Sequence, residues 1–332
     1  MIETALAALT VLILSAILVA LVVLIRNVRG QTRKIVRALD DQPRLNLKTL
    51  EVLLGKHDFR QRRVVGDRLN LLREAVDQNN DSKAYYLERM VDARKPTVLV
   101  TANSSIVVCS LAIGAEYAEV VKPCLRSQEE FARRNGFGYV LLSEQPTYSD
   151  RPAPWSKIAL VSKLLRQEVE HVLCIDADAM VTDQTFDMQN IFRELDISGK
   201  SIFLTEDEAG INCGVMFIRN SAATRALLEL IWLVDFDIAN LLWEQFALKA
   251  LMDEYPEVRN AVLIEPNPKR FNSFPIERRL FQKTDSRNIW SSGDFICHFS
   301  GIRPPYLADF IASYDRSVNR VAGTTDGIEK TA

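Results

Sequence analysis

Between Pro96 and about residue 310, the 332-residue chain predicts an α/β domain with a Rossmann-like, mostly parallel sheet flanked by helices. Three observations carry that prediction. Apolar runs such as HVLCI (171–175), SIFLT (201–205) and FICHF (295–299) are short and do not alternate with polar residues, as strands buried on both faces do. They take turns with stretches of helical spacing, WSKIALVSKLLRQEVE (155–170) and SAATRALLELIWLV (221–234) among them, which is the order of βα units. Polar groups gather where several of these strands end, and in open α/β sheets ligands sit at the carboxyl ends of the strands.

The elements ahead of the domain are of another kind. Ala5 to Ile25 is a 21-residue run without a charge. At ~1.5 Å per residue it is long enough for a hydrocarbon core of about 30 Å. Only Glu3 precedes it, whereas Arg26, Arg29, Arg33, Lys34 and Arg37 follow. A cleaved leader has a shorter apolar region with its positive charge in front, so residues 1–30 predict a membrane anchor. The positive flank predicts a cytoplasmic catalytic face on an inner (cell) membrane. Residues 31–95 predict a basic helical stalk: Leu50, Leu53 and Leu54, then Leu69, Leu72, Ala75 and Val76, recur at helical spacing. Pro43, Gly55 and DQNNDS (77–82) interrupt it. From Arg26 to Lys95 there are 17 Lys/Arg against 10 Asp/Glu; from Pro96 onward there are 24 against 32. A basic leader beside an acidic body gives the first part a lipid-facing character and the second none of the basic excess of a nucleic-acid binder.

Within residues 96–310, PTVLVTAN (96–103) predicts the first strand, and VKPCLRSQEEFARRNGF (121–137) a helix closed by Gly136 and Gly138. YVLLS (139–143), HVLCI, SIFLT, GVMFIRN (214–220), AVLIEP (261–266) and FICHF predict further strands, and LLWEQFALKALMDEY (241–255) a further helix. Residues 311–332 predict a polar tail. The five cysteines have no metal-type spacing and lie in apolar runs, which predicts buried free thiols.

Three predicted strands end in polar groups: VTANS (100–104), DAD (176–178) and HFSG (298–301). Asp176 and Asp178 leave a buried strand, where alternate side chains share a face. Two hard carboxylates side by side suit Mg²⁺ or Mn²⁺, which removes their repulsion and leaves positions for phosphate oxygens. The same spacing recurs at Asp235 and Asp237, but after a helix, where it reads as a solvated helix end. His298 could supply a third ligand. Lys157 opens a helix. Arg303 lies between Gly301 and the Pro304-Pro305 pair, in a stiff loop suited to holding a guanidinium on a diphosphate. Asn212 and Gly214 stand at a strand entrance, where glycine provides a turn or allows close approach.

In order, PWSKIALVSKLLRQEVEHVLCIDADAMVTD, GINCGVMFIRNS, WEQFAL and HFSGIRP resemble the motifs of glycosyltransferase family 34, the galactosyl-, mannosyl- and xyloglucan xylosyltransferases. The resemblance covers roughly residues 97–306. It implies a GT-A fold, a nucleotide-sugar donor, a Mn²⁺ ion and retention of anomeric configuration. Carried over position by position, it implies Asp176, Asp178 and His298 as metal ligands. It implies donor contacts from Ala102, Asn103, Ser104, Lys157, Asp176, Ala177, Asn212, Gly214, Gly301 and Arg303. Gln245 matches the glutamine placed near the anomeric carbon. The family often has an acid pair before that glutamine; here it reads Trp243-Glu244, which bears on the acceptor.

The expectation is a membrane-anchored retaining glycosyltransferase using a UDP-sugar and Mn²⁺ (or Mg²⁺), with a glycan or glycolipid hydroxyl as acceptor. Eukaryotic relatives imply a Golgi, lumenal placement as the alternative. Retention admits front-face attack, which Gln245 favours, or a covalent intermediate, for which Glu244 is the nucleophile. The competing functions are an inactive nucleotide-sugar-binding scaffold and a metal-dependent nucleotidyltransferase, which would release pyrophosphate instead of a nucleoside diphosphate.

Overall fold

The computed structural model describes residues 104–144, 151–167, 169–234, 243–303 and 305–325. The expected anchor, the stalk, the strand at 96–103 and the Asp235/Asp237 pair lie outside them. No helix among the described residues is long and apolar enough to cross a membrane.

Among the described residues, six strands form the main sheet: β1 (Ile106–Leu111), β2 (Gly138–Leu142), β3 (His171–Ile175), β5 (Ile202–Asp207), β6 (Gly210–Arg219) and β7 (Val262–Glu265). Their order is β2-β1-β3-β6-β5-β7. All run parallel except β6, which is antiparallel to both β3 and β5. A separate two-stranded ribbon joins β4 (Ala179–Val181) to β8 (Ile296–His298), with Ala179 opposite His298. The run FICHF is therefore a strand, but of this ribbon and not of the main sheet.

The unbroken apolar runs have the predicted cause. Along β3, Val172 and Cys174 face one core with Leu227, Leu228 and Ile231, while Leu173 and Ile175 face a second with Phe131, Ile191 and Phe192. Both faces are covered, so neither tolerates a polar alternate. The first core is closed by α2 (Ser156–Leu165), α4 (Ala222–Leu233) and α5 (Trp243–Glu254), and the second by α1 (Ala115–Arg134) and α3 (Met188–Ser198). Helix α3 begins where the Asp187 carboxylate accepts the Asn190 N–H and stops at Gly199, whose φ of 67° suits a residue without a Cβ. Helix α4 begins likewise, with the Ser221 hydroxyl accepting the Thr224 N–H. A short α6 (Pro256–Asn260) leads into β7. All five cysteines are buried and free.

One strand was not expected from the sequence, and one expectation changes. The first described strand is IVVCSL, which lies beyond VTANS; Ser110, in its middle, is buried at 1% exposure and interrupts what would otherwise read as an apolar run. The polar tail expected at 311–332 is instead helical through Thr325, as α7 (Tyr306–Thr325). Its Leu307 and Ile311 are buried with Val121 and Cys124 of α1 and with Phe299, so the helix completes a third core. An amphipathic helix with one narrow apolar stripe looks polar in composition while still burying that stripe.

Candidate active site

The site is built where β3 ends beside the start of β6. Because β6 runs against its neighbours, its first residues lie at the carboxyl end of β3, and the Gly214 carbonyl accepts the Asp176 N–H at 2.7 Å. The Asp-Ala-Asp segment is not part of the strand. It forms a tight turn into β4, closed by Ala179 N–H on the Asp176 carbonyl at 3.0 Å. Strand alternation therefore does not bring the two carboxylates together; the turn does. From α1, the buried Gln128 amide donates to the carbonyls of Asp176 (2.9 Å) and Ala179 (2.8 Å), fixing both ends of that turn. Ala177 between them is buried in the third core.

The β4–β8 ribbon brings in His298. Its Nε2 lies 3.5 Å from Asp178 Oδ1 and 3.8 Å from Asp176 Oδ2. One ligand atom from each of the three residues falls within 4.8 Å of the others. Buried Nε2 has no hydrogen-bond partner, which is costly for a polar atom unless a ligand fills the gap. Gly214 makes room for the ring: a Cβ there would stand 2.0 Å from His298 Cε1. Burial pushes the Asp178 carboxyl up, but the neighbouring His298 ring outweighs it and holds the group below its ordinary range. Two carboxylates and an imidazole whose Nε2 has no partner fit a divalent metal.

Lys157 is not a surface cation. Its ammonium, in the first turn of α2, is 2.6 Å from Asp176 Oδ1 and 2.8 Å from Glu244 Oε1, and donates to the Cys213 carbonyl at 3.2 Å. Burial pulls its pKa down, yet the two carboxylates overcome that and keep it well above the ordinary lysine value. Burial pushes Glu244 upward, partly countered by Lys157. Gln245, beside it on α5, accepts the Cys213 N–H on Oε1 at 2.9 Å. Trp243 opens α5 at φ 41°, in the left-handed region a bulky side chain rarely adopts, and packs on the first core.

The remaining predicted residues separate. Asn212 lies inside β6, and its Oδ1 accepts the Gly214 N–H at 2.9 Å. Gly301 turns the chain at φ 74° against Gln282, where a Cβ would come within 2.6 Å of Nε2. Arg303 follows in the same loop, exposed. Ser104 does not belong to this end of the sheet. It precedes β1, and its neighbour Ser105 accepts the His171 N–H at the start of β3. The loop that follows β1 is Ala112 to Gly114, leading to Tyr117 in α1. Tyr117 is 37% exposed; partial desolvation, then the negative charge of Asp178 and Asp176, pushes its phenol up. Ala102 and Asn103 lie outside the described residues. Sequence reasoning missed Gln128, Tyr117 and Asn272, whose Oδ1 lies 2.9 Å from His298 Nδ1. Of these, only Tyr117 carried a signal, since it follows the glycine that ends an apolar run.

Residues 187–305 match the model of the galactosyl transferase GMA12/MNN10 family. That span includes Asn212, Gly214, Glu244, Gln245, His298 and Arg303 and begins after the Asp176–Asp178 pair. The chain is 22% identical over 223 residues to an uncharacterized alpha-1,2-galactosyltransferase of Schizosaccharomyces pombe, covering 54% of this chain and 56% of that protein. It is 25% identical over 213 residues to the "Probable alpha-1,6-mannosyltransferase MNN10" of Saccharomyces cerevisiae, covering 53% and 54%. The chain thus spans about half the length of these curated relatives. Among solved structures it shares its fold with a glycosyltransferase involved in the glycosylation of the major capsid of PBCV-1, with a TM-score of 0.51 at 12% identity, over 63% of this chain and 98% of that one. Over residues 187–305, then, the chain is similar to the galactosyl transferase GMA12/MNN10 family, and the relatives it matches carry galactosyl- and mannosyltransferase names.

Proposed function

We propose that the protein is a metal-dependent, retaining glycosyltransferase of GT-A type. It moves a hexose or pentose from a nucleotide-diphosphate sugar, a UDP-sugar, to a hydroxyl of a glycan or glycolipid. One observation carries the reading: Asp176, Asp178 and the bare His298 Nε2 converge at the carboxyl end of β3, in a chain whose residues 187–305 match the galactosyl transferase GMA12/MNN10 family. The mixed oxygen and nitrogen set favours Mn²⁺ over Mg²⁺, which keeps to oxygen ligands and water. When bound, such an ion supplies Lewis acidity to the departing diphosphate.

The chain's own residues do the rest. Lys157 holds Asp176 in place and offsets one of the acid charges around it. Arg303, exposed beyond β8, is free to swing onto a diphosphate, where a guanidinium bonds two oxygens at once. Gln245 is tied to β6 through Oε1, which leaves its amide N–H groups to face the sugar. Glu244 is a poor nucleophile, because it is 5% exposed and ion-paired to Lys157. The acceptor hydroxyl therefore attacks from the face of the leaving group: its oxygen bonds the anomeric carbon, the bond to the diphosphate oxygen breaks, and the hydroxyl proton passes to that oxygen.

The test is to incubate the full chain with Mn²⁺ and a panel of nucleotide sugars, and to measure release of the nucleoside diphosphate. Asp178→Ala should fold and release none; unchanged turnover by that variant overturns the site. The apolar run Ala5 to Ile25 and its basic flank support an inner-membrane anchor with a cytoplasmic domain. Protease digestion of intact against inverted vesicles tests it, and protection in inverted vesicles overturns the orientation.

A further inference from the structure

His298 has two ring nitrogens, and a metal takes only one that carries no proton. Which nitrogen is bare follows from the groups behind the ring. His298 Nδ1 lies 2.9 Å from Asn272 Oδ1. Asn272, fully buried, donates its Nδ2 to Thr205 Oγ1 at 3.0 Å and to Asn212 Oδ1 at 3.1 Å. The orientation of Asn212 is in turn fixed by partners with only one role each. Its Oδ1 accepts the backbone N–H of Gly214, and its Nδ2 donates at 3.1 Å to Asp207, whose carboxylate also accepts from Arg278 at 2.6 Å. A backbone N–H cannot accept, and an ionised carboxylate cannot donate. The direction therefore propagates. Asn212 must present oxygen to Asn272, Asn272 must answer with nitrogen, and its oxygen is left for His298.

We infer that Asn272 is a positioning residue: backed by Asn212 and Asp207, it locks His298 with the proton on Nδ1 and so presents an unprotonated Nε2 to the metal. The inference rests on the metal reading above and deepens it. A histidine serving only as packing would use both nitrogens. Here one is bonded on a fully specified path, and the other, equally buried, faces two carboxylates with no partner. Partners of this kind behind a ligating histidine set ring orientation and basicity, and their loss typically weakens metal binding about 10–100-fold.

The experiment titrates the full chain with Mn²⁺ alone, reading free Mn²⁺ by electron paramagnetic resonance. Asn272→Leu, of similar size but with no acceptor, should weaken binding about 10–100-fold. Asn272→Asp, which keeps an oxygen for Nδ1–H, should bind more tightly than the leucine variant. Because Asn272→Leu is a core change, a second measurement uses the wild-type protein: ¹⁵N-histidine resonances of the metal-free chain at pH 9, with His298 identified by the signal lost in His298→Gln. The neutral ring should carry its proton on Nδ1. A neutral ring protonated on Nε2, or equal Mn²⁺ affinity in folded Asn272→Leu, overturns the inference and leaves the metal reading standing. If the wild type binds no Mn²⁺, both fall.

Discussion

The Lys157 ammonium sits between Asp176 Oδ1 and Glu244 Oε1, at 2.6 and 2.8 Å, with both Lys157 and Glu244 almost wholly buried. One cation between two acids leaves this trio with a net negative charge, and Asp178 adds another. The proposed divalent ion would balance what remains. Removing the lysine should strand two carboxylates, and breaking a buried pair by deleting one partner costs about 3–5 kcal/mol. Lys157→Met should therefore lose roughly that much stability in chemical denaturation, and Lys157→Met with Glu244→Gln should recover part of it. Additive effects in that double-mutant cycle would mean the two groups are not coupled.

A metal site that exists only in the folded protein makes stability depend on free metal. At a Mn²⁺ concentration about 100-fold above the dissociation constant, the folded state should gain ~2.7 kcal/mol. The gain should appear as a shift in the urea midpoint of the wild type and vanish in Asp178→Ala. An equal shift in both would place the ion elsewhere.

Much of this architecture is legible in the chain because the physics is local. Strands covered on both faces, such as HVLCI, have no choice but unbroken apolar sequence. Carboxylates and histidine at strand ends are legible because few residue types do that chemistry. Strand β1 is not, because Ser110 breaks IVVCSL with a buried hydroxyl. Asn272 is invisible for a different reason. It stands in a turn-rich stretch where asparagine is ordinary. Its partners Thr205 and Asn212 are 67 and 60 residues away, a relation only folding creates.

Helix α7 offers a test of the third core. Ile311 is fully buried against α1 and Phe299, whereas Ile197 at the end of α3 is 88% exposed. Ile311→Ala should cost about 2–5 kcal/mol through lost burial and the cavity left behind. Ile197→Ala should stay within about 0.5 kcal/mol of the wild type. Equal midpoints in thermal denaturation for the two variants would mean that α7 does not contribute to the domain's core.

Gly214 and His298 make the sharpest geometric claim. A methyl group at position 214 would occupy the imidazole's space, 2.0 Å from Cε1 and 2.9 Å from Nε2. The clash is with the ring itself and not with a flexible chain end, and the ring cannot retreat freely, because Nδ1 is held by Asn272. Gly214→Ala must therefore move either β6 or the histidine. Overpacking of this size costs about 1–3 kcal/mol, which a domain of this size tolerates. The proposed ligand set would not tolerate it. Gly214→Ala should fold and lose Mn²⁺ affinity about as far as His298→Ala does, and adding His298→Ala to it should bring little further loss. A Gly214→Ala protein with wild-type Mn²⁺ affinity would mean that the imidazole at this position is not a ligand.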